Sequence, residues 1–280
     1  MLLRHSVVIL VVVAGACCGC TSRPATALRT CAPSTVRADR PHAPGPWHCV
    51  FDDEFTGRTL DPANWVTCYD WSPGGCTSAG NNELEWYQPG QVSVGPDGLT
   101  LLAQRRTVTA GTGVRYPWVS GMISTGRDGP GGSPHFSFAY GYATADVQLS
   151  RAPGMLPAFW LLPADESWPP EIDIMEGVEN TVALNVHFVG ADGNGNAQAR
   201  HVYGRGDFTS RYHNFAVDWE PHRLTWYIDG VQRYTVTDPA AIPHVAMDIL
   251  FTLAVGYPRA PSPDTQSSTL HVKDVQVWQR

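Results

Sequence analysis

The sequence predicts an all-β protein, a sandwich of antiparallel strands. Short runs that alternate apolar and polar residues fill residues 47–280, and clusters of Gly, Pro, Asn and Asp separate them at the spacing of sandwich strands. Gly (27) and Pro (23) together make up about 18% of the chain, where about 12% is usual. No stretch keeps a helical period and no internal repeat is present, so one large β domain is expected.

Individual strands can be placed from these runs in chain order. Residues 99–104, 142–149 and 223–228 are three examples. Asp229-Gly230 follows the third run, and this dipeptide is a strong signal for a two-residue hairpin turn. Residues 231–236 are then predicted to return as the partner strand, which gives an antiparallel pair.

The composition excludes several classes of protein. The apolar fraction of 43% is enough to bury a sizeable core, so a disordered chain is not expected. Only 16% of residues are charged, the net charge is −7, and the single Lys is Lys273. Nucleic acid requires patches of Lys and Arg, so no nucleic-acid partner is expected. Ten Trp residues among so few charges favour an uncharged ligand.

The N-terminus is typical of an export signal, predicted over residues 1–20. Arg4 precedes the ten apolar residues 7–16, a run too short for a membrane span of about 20 residues. The segments around Cys17 and Cys20 each resemble a bacterial lipobox, in which the Cys is lipidated. The protein is expected to be exported, either secreted or held at a membrane through this lipid alone.

Residues 21–46 are rich in Pro, Ala, Thr and Arg and are predicted to form a linker. The remaining cysteines are even in number, which favours disulfides over metal in an exported protein. Cys68 and Cys76 flank a short loop, so we favour this local pair. Cys31 and Cys49 then tie down the N-terminal arm, although four cysteines allow three pairings.

The most informative stretch runs from Trp168 to Gly177 and carries three acids. Glu171 and Asp173 lie two residues apart, so both point to one side of a strand. Glu176 lies five positions from Glu171, and a regular strand would turn it to the other side. One extra residue at Ile174-Met175, a β-bulge, returns Glu176 to the acidic face.

With this bulge, the carboxyls of Glu171 and Glu176 can approach to about 5–5.5 Å, the separation used by retaining glycosidases. Two charges at about 5.5 Å repel by about 3 kcal/mol at an effective dielectric of about 20, or roughly 2 pKa units. One acid is thereby kept protonated while the other stays ionised, and Asp173 can hydrogen-bond the ionised acid and share its charge. The alternatives are a solvated acidic face and a calcium site. Stacked like charges make the first costly, and no calcium-binding loop accompanies the acids.

These residues resemble glycoside hydrolase family 16, the laminarinase and lichenase group. Its signature Glu-x-Asp-x-x-Glu is matched at Glu171, Asp173 and Glu176, in the bulged laminarinase form. Similar motifs extend over residues 47–280: Phe51–Gly57, Asn81–Tyr87, Ser120–Thr125, Pro157–Pro163, Phe215–Gly230, Leu250–Gly256 and Val272–Trp278. The resemblance implies a concanavalin A-like jelly roll of two curved antiparallel sheets, with residues 47–280 as the catalytic domain.

The resemblance also implies roles for the three acids. Glu171 corresponds to the nucleophile, Glu176 to the acid/base and Asp173 to the assisting acid. It implies an endo-acting β-glucanase that cleaves β-1,3 or mixed β-1,3/1,4 linkages with retention, needs no cofactor for chemistry and works as a monomer. A carbohydrate-binding protein on the same fold, or a transglycosylase acting on galactan or exopolysaccharide, is the alternative.

Five residues are expected to bind the polysaccharide. Trp168 corresponds to a residue that stacks on the sugar at the cleavage point, and Trp160 either does the same or lies in the core. Asn81 and Trp86 are expected to line the donor side of the cleft. His187 fits a cleft histidine on the neighbouring strand, with a hydrogen-bonded core histidine as the alternative.

Other matches concern metal and substrate. Asp274 corresponds to a position that binds a structural Ca²⁺ on the convex face in many members; a plain surface acid is the alternative. Leu156 stands where the family often has Trp, and Thr144 and Asp146 stand where Glu and Arg are common. Since those positions face the cleft in relatives, altered sugar contacts at outer subsites are expected.

Overall fold

The structure of the protein is a computed structural model. Two packed β-sheets form almost all of its regular secondary structure. The residues that it describes are 31, 41–69, 75–78, 81, 83–179, 181–193, 195–204 and 206–280. Over these residues there is no α-helix, and accordingly none with the length and apolarity to cross a bilayer. The predicted export signal, both candidate lipidation sites and most of the predicted linker lie outside the described residues.

Six strands form the sheet that carries the candidate site. Strand numbers follow the chain, and the order across this sheet is β13 (Ala197–Tyr203), β12 (Thr181–Phe188), β11 (Glu171–Val178), β10 (Met155–Pro163), β17 (Met247–Val255) and β8 (Met122–Ser124). All five neighbouring pairs are antiparallel. The acidic stretch therefore occupies a central strand, flanked on both sides by long partners.

Ten strands form the opposing sheet. Eight follow one path: β16 (Val231–Val236), β15 (Arg223–Ile228), β14 (His213–Glu220), β9 (Gly141–Gln148), β18 (Ser267–Gln279), β4 (Gly98–Gln104), β7 (Trp118–Ser120) and β2 (Glu85–Tyr87). Off this path, β1 (His48–Asp53) pairs with β18 and β3 (Val92–Gly95) pairs with β4. The short pair β2 and β7 is parallel, so the prediction of purely antiparallel sheets needs that correction. A separate hairpin joins β5 (Val108–Thr109) to β6 (Arg115–Tyr116).

The core lies between the two sheets and is built from alternate residues of each strand. Phe159 of β10 stacks on Phe251 of β17 with ring centroids 4.6 Å apart, and both rings are fully buried. The buried Trp226 of β15 donates its indole N–H to the backbone carbonyl of Asp173 at 2.9 Å. This bond ties the opposing sheet to β11 directly beneath the acids.

The structure confirms the predicted hairpin turn and both predicted disulfides. Asp229 and Gly230 form the turn between β15 and β16, with φ of 50° and 74°. Positive φ at both positions is what the primed hairpin turn requires. The Cα atoms are 5.6 Å apart in the Cys31–Cys49 disulfide and 4.7 Å apart in the Cys68–Cys76 disulfide.

The last residues of the predicted linker, 41–46, lie against the sandwich. Ala43 is buried beside Tyr142 and Ala216, and its carbonyl accepts the indole N–H of Trp47 at 2.7 Å. The Arg280 guanidinium sits 3.8 Å from the centroid of the Trp47 ring. The packed structure of this domain therefore begins a few residues before Trp47.

Candidate active site

A cleft of about 760 Å³ lies over the face of the six-stranded sheet that points away from the core. Strand alternation decides which residues reach it, since odd and even positions point to opposite sides. The central strands and their partners contribute the floor residues Leu156, Ala158, Trp160, Glu171, Asp173, Glu176, Asn185, His187, Gln198, Arg200, Thr252 and Ala254.

The bulge predicted in the acidic strand is confirmed. Glu171 pairs with His187 and Asp173 pairs with Asn185, but the next pair is Glu176 with Ala183, and the register shifts between Asp173 and Glu176. Ile174 and Met175 both remain fully buried in the core. The extra residue therefore brings all three carboxyls to the cleft face.

Glu171 is held by two neighbouring elements. The indole N–H of Trp168 donates to Glu171 Oε2 at 2.7 Å. From β12, His187 Nε2 lies 4.0 Å from Glu171 Oε1 and 3.5 Å from Asp173 Oδ2. Asn185 Nδ2 lies 2.9 Å from the same His187 nitrogen. The predicted cleft position of His187 is thus observed.

The three acids raise one another's proton affinity. Burial, and then the charge of Asp173, raise the pKa of Glu171 well above its usual value. Burial and the charge of Glu176 do the same to the pKa of Asp173. The pKa of Glu176 is raised by burial and by Glu171, while Arg200 opposes the increase. The cluster therefore favours a state that retains a proton, as acid catalysis requires.

Trp168, Trp160 and Asn81 lie where the sequence places them. Trp168 is 51% exposed at the cleft, and its ring is tilted against His187 at 5.9 Å. Trp160 is half-buried in the floor and contacts Tyr69 edge to face at 6.3 Å. Asn81 is exposed at the cleft. All three residues therefore line the cleft.

The expectation that Trp86 lines the cleft is wrong. Its neighbours Glu85 and Tyr87 are fully buried, and Glu85 accepts the backbone N–H of Val255 at 2.8 Å. Because alternate strand residues point to opposite sides, Trp86 points away and packs on Tyr116 at 5.4 Å. It is absent from the cleft lining.

The expected cleft positions of Thr144 and Asp146 are also wrong. Both lie on β9 of the opposing sheet, where the alternate residues Ala143 and Ala145 fill the core. Thr144 and Asp146 therefore face outwards, and both accept from Asn214 Nδ2, at 2.8 and 3.0 Å. Neither residue is part of the cleft lining. Leu156, the third departure, does line it.

Asp274 is not a surface acid. It lies on β18, is fully buried, and stands opposite Asp146 in the strand register. Within the described part of the chain, one group of three His, Cys, Asp or Glu residues has ligand atoms within 4.8 Å of one another, and it is Glu171, Asp173 and His187. Calcium takes oxygen ligands, so a group that includes His187 does not suit it.

Sequence reasoning missed several cleft residues. Gln198 and Arg200 reach the cleft from β13, whose residues alternate in exposure along the strand. Glu83 lies at the edge, where it accepts Asn81 Nδ2 at 3.3 Å. Tyr69 lies next to Trp160. The alternation in residues 197–203 predicts a strand that includes Gln198 and Arg200. The sequence does not show that this strand pairs with β12.

A β-sandwich whose cleft combines paired carboxyls with indole rings defines a class of proteins that act on sugars. Within that class, the chain belongs to glycosyl hydrolases family 16, whose family model matches residues 81–274.

Individual relatives agree with the family assignment. Endo-1,3-1,4-beta-glycanase EglC of Rhizobium meliloti (strain 1021) is 31% identical over 233 residues, which cover 77% of this chain and 48% of that protein. The Beta-glucanase of Rhodothermus marinus is 28% identical over 280 residues, covering 88% and 90%. The chain therefore spans about half the length of EglC and most of the second relative.

A solved structure confirms the predicted jelly-roll sandwich. The endo-beta-1,3-glucanase from Pyrococcus furiosus superposes with a TM-score of 0.70 at 25% sequence identity. The match covers 83% of this chain and 94% of that one. The fold is thus shared over almost the whole of that protein.

Proposed function

We propose that this chain is an endo-acting β-glucanase that cleaves β-1,3 or mixed β-1,3/1,4 linkages with retention of configuration. The observation that carries the proposal is the bulge, which brings Glu171, Asp173 and Glu176 to one face of the cleft. Family membership and relatives named as β-glucanases support it.

In the proposed first step, a Glu171 oxygen attacks the anomeric carbon while Glu176 gives its proton to the glycosidic oxygen. The bond from that carbon to the leaving sugar breaks, and a glycosyl ester forms on Glu171. This ester carries no charge, so the interaction that raised the pKa of Glu176 is lost. Glu176 then takes a proton from water, whose oxygen displaces Glu171 and restores the free enzyme.

Asp173, His187 and Arg200 lie around the two reacting acids and influence their protonation. Asp173 is hydrogen-bonded to Glu171, and His187 lies within 4.0 Å of both carboxyls. Arg200 lowers the pKa of both Asp173 and Glu176. We assign them to charge balance around the two reacting acids.

The cleft charges favour an uncharged polymer. Five carboxyls line it among the described residues, with Arg200 as the one guanidinium: Glu83, Glu166, Glu171, Asp173 and Glu176. An anionic polysaccharide placed here meets like charges in a confined space. Trp160 and Trp168 offer aromatic faces to neutral sugar rings.

A panel of polysaccharides tests the proposed function. Laminarin, curdlan, lichenan, galactan, agarose and the sulfated κ-carrageenan are incubated with the protein, and products are separated by chromatography. We expect oligosaccharides from laminarin, curdlan or lichenan and none from κ-carrageenan. Binding without cleavage of any polymer supports a carbohydrate-binding protein instead. Products longer than an added acceptor support a transglycosylase.

We keep a structural Ca²⁺ at Asp274 as a proposal. The buried Asp274 faces Asp146, and two facing carboxyls suit a hard cation. Removal of calcium with a chelator is expected to lower the melting temperature of the wild type by several degrees and to leave Asp274→Asn unaffected. An identical response of both proteins would contradict this assignment.

Export and lipid anchoring are further proposals, supported by two disulfides that suit an oxidising compartment. If Cys17 or Cys20 carries a lipid, its replacement by Ser should move the protein from the membrane fraction to the soluble fraction. We also propose that residues 47–280 form the catalytic domain and that it is monomeric, which light scattering can measure.

A further inference from the structure

We infer that Trp168 is a positioning residue for Glu171, holding one carboxylate oxygen in place through its indole N–H rather than serving only as a face for sugar stacking. The inference rests on the proposed function, since it assigns Glu171 the nucleophile's role. The contact that motivates it is the 2.7 Å hydrogen bond from Trp168 Nε1 to Glu171 Oε2.

The two oxygens of Glu171 have different neighbours. Oε2 accepts from Trp168, whereas Oε1 lies 4.0 Å from His187 Nε2. The Trp168 ring in turn contacts the His187 ring at 5.9 Å. Asp173 is also hydrogen-bonded to Glu171, so the carboxylate has more than one contact that restrains its orientation, and a defined orientation is what attack on an anomeric carbon requires.

The local sequence keeps the indole in reach. Pro169 and Pro170 separate Trp168 from Glu171, and proline locks φ at about −65°. The short, stiff connection leaves the backbone of Trp168 little freedom relative to the start of β11. Although the Trp168 residue as a whole is 51% exposed, its indole N–H donates to Glu171.

The hydrogen bond from Trp168 lowers the pKa of Glu171, whereas burial and Asp173 raise it. An N–H donated to a carboxylate favours the ionised form and lowers its pKa, as Trp168 does for Glu171. The other charged or titratable groups around Glu171 come from its own strand, from β12, from β13 and from the segment before β2: Asp173, Glu176, His187, Arg200 and Tyr69. The β10 residues opposite Glu176 and Asp173 are Ala158 and Trp160, which do not titrate.

The decisive variant is Trp168→Phe, which keeps an aromatic face and removes the donor. Loss of the N–H raises the pKa of Glu171, so the fraction of ionised nucleophile falls on the acid side. We expect the acid limb of kcat/KM on laminarin to move up by about one pH unit. We also expect kcat to fall about tenfold, with KM changed less than about threefold.

Trp160→Phe is the matched control. Trp160 is a second indole in the same cleft, and its buried N–H finds no hydrogen-bond partner among the residues that the structure describes. Its replacement should leave the acid limb where it is in the wild type. If the limb of Trp168→Phe also stays in place, or if the two variants shift it equally, the inference is overturned.

A measurement without substrate separates this inference from the proposed function. In ¹⁵N-labelled protein, the indole cross-peak of Trp168 is identified by its absence in Trp168→Phe. We expect its chemical shift to titrate in the acid range, and most of that change to disappear in Glu171→Gln. A shift that does not depend on pH, or an unchanged titration in Glu171→Gln, contradicts the inference. If the indole shift titrates as expected but the protein cleaves no glucan, the contact between Trp168 and Glu171 stands and the proposed function fails.

Discussion

Replacing Glu171 by Gln should reduce the turnover of laminarin by about 10³-fold or more, because the amide cannot form the glycosyl ester. The loss should appear in kcat, since the rest of the cleft still binds the polymer. Initial rates measured as released reducing sugar, together with binding of laminarin to the inactive variant, check both parts.

Glu179→Gln provides the matched control for that experiment. Glu179 follows the same strand β11 but pairs with Arg259 at 2.7 Å, away from the cleft lining. Its turnover should remain within about twofold of the wild type, as for most surface substitutions. Adding azide to Glu171→Ala should restore part of the activity, because a small anion can occupy the vacated space and attack. Near wild-type turnover of Glu171→Gln would exclude Glu171 as the nucleophile.

Replacing Glu176 by Gln is expected to lower kcat/KM for laminarin by about 10²- to 10⁴-fold, which is the usual contribution of general acid catalysis. The loss of kcat/KM, which reports the first step, should shrink strongly on an aryl β-glucoside oligomer with a good leaving group, since that oxygen needs no proton, whereas kcat stays low because the second step lacks its base. The alkaline limb of the pH profile should disappear with Glu176, because this limb reports loss of the catalytic proton.

The same variant distinguishes an acid from a binding residue. An equal loss of kcat/KM on laminarin and on the activated glycoside would contradict the assignment of Glu176 as the acid. The accumulation of glycosyl-enzyme from the activated substrate should be visible as a burst of phenol, since the second step still lacks its base. Intact-protein mass spectrometry checks that the burst corresponds to one sugar adduct per chain.

The features that the sequence predicted correctly are governed by local rules. The bulge follows from the spacing of Glu171, Asp173 and Glu176, because strand alternation fixes the side of each residue. The turn at Asp229-Gly230 follows from backbone conformations that few other dipeptides adopt. Neither inference needs knowledge of which strands are neighbours.

The features that it missed depend on strand order and on which sheet a strand joins. Arg200 reaches the acids only because β13 pairs with β12, in a register that sets Arg200 opposite Asn185. Thr144 and Asp146 alternate with the core residues Ala143 and Ala145, but β9 joins the opposing sheet and places them on its face away from the core. Trp86 has the right motif and points to the wrong side, because Glu85 and Tyr87 take the buried positions.

The proposed mechanism depends above all on a covalent bond between Glu171 and the sugar during cleavage of a β-glucan. This bond can be trapped by incubating the protein with a 2-deoxy-2-fluoro β-glucosyl oligomer that carries a good leaving group, followed by digestion and mass spectrometry of the peptides. We expect one adduct per chain, located on Glu171, and no adduct in Glu171→Gln. A label on another residue, or no label from a substrate analogue that the protein binds, would contradict the proposed mechanism.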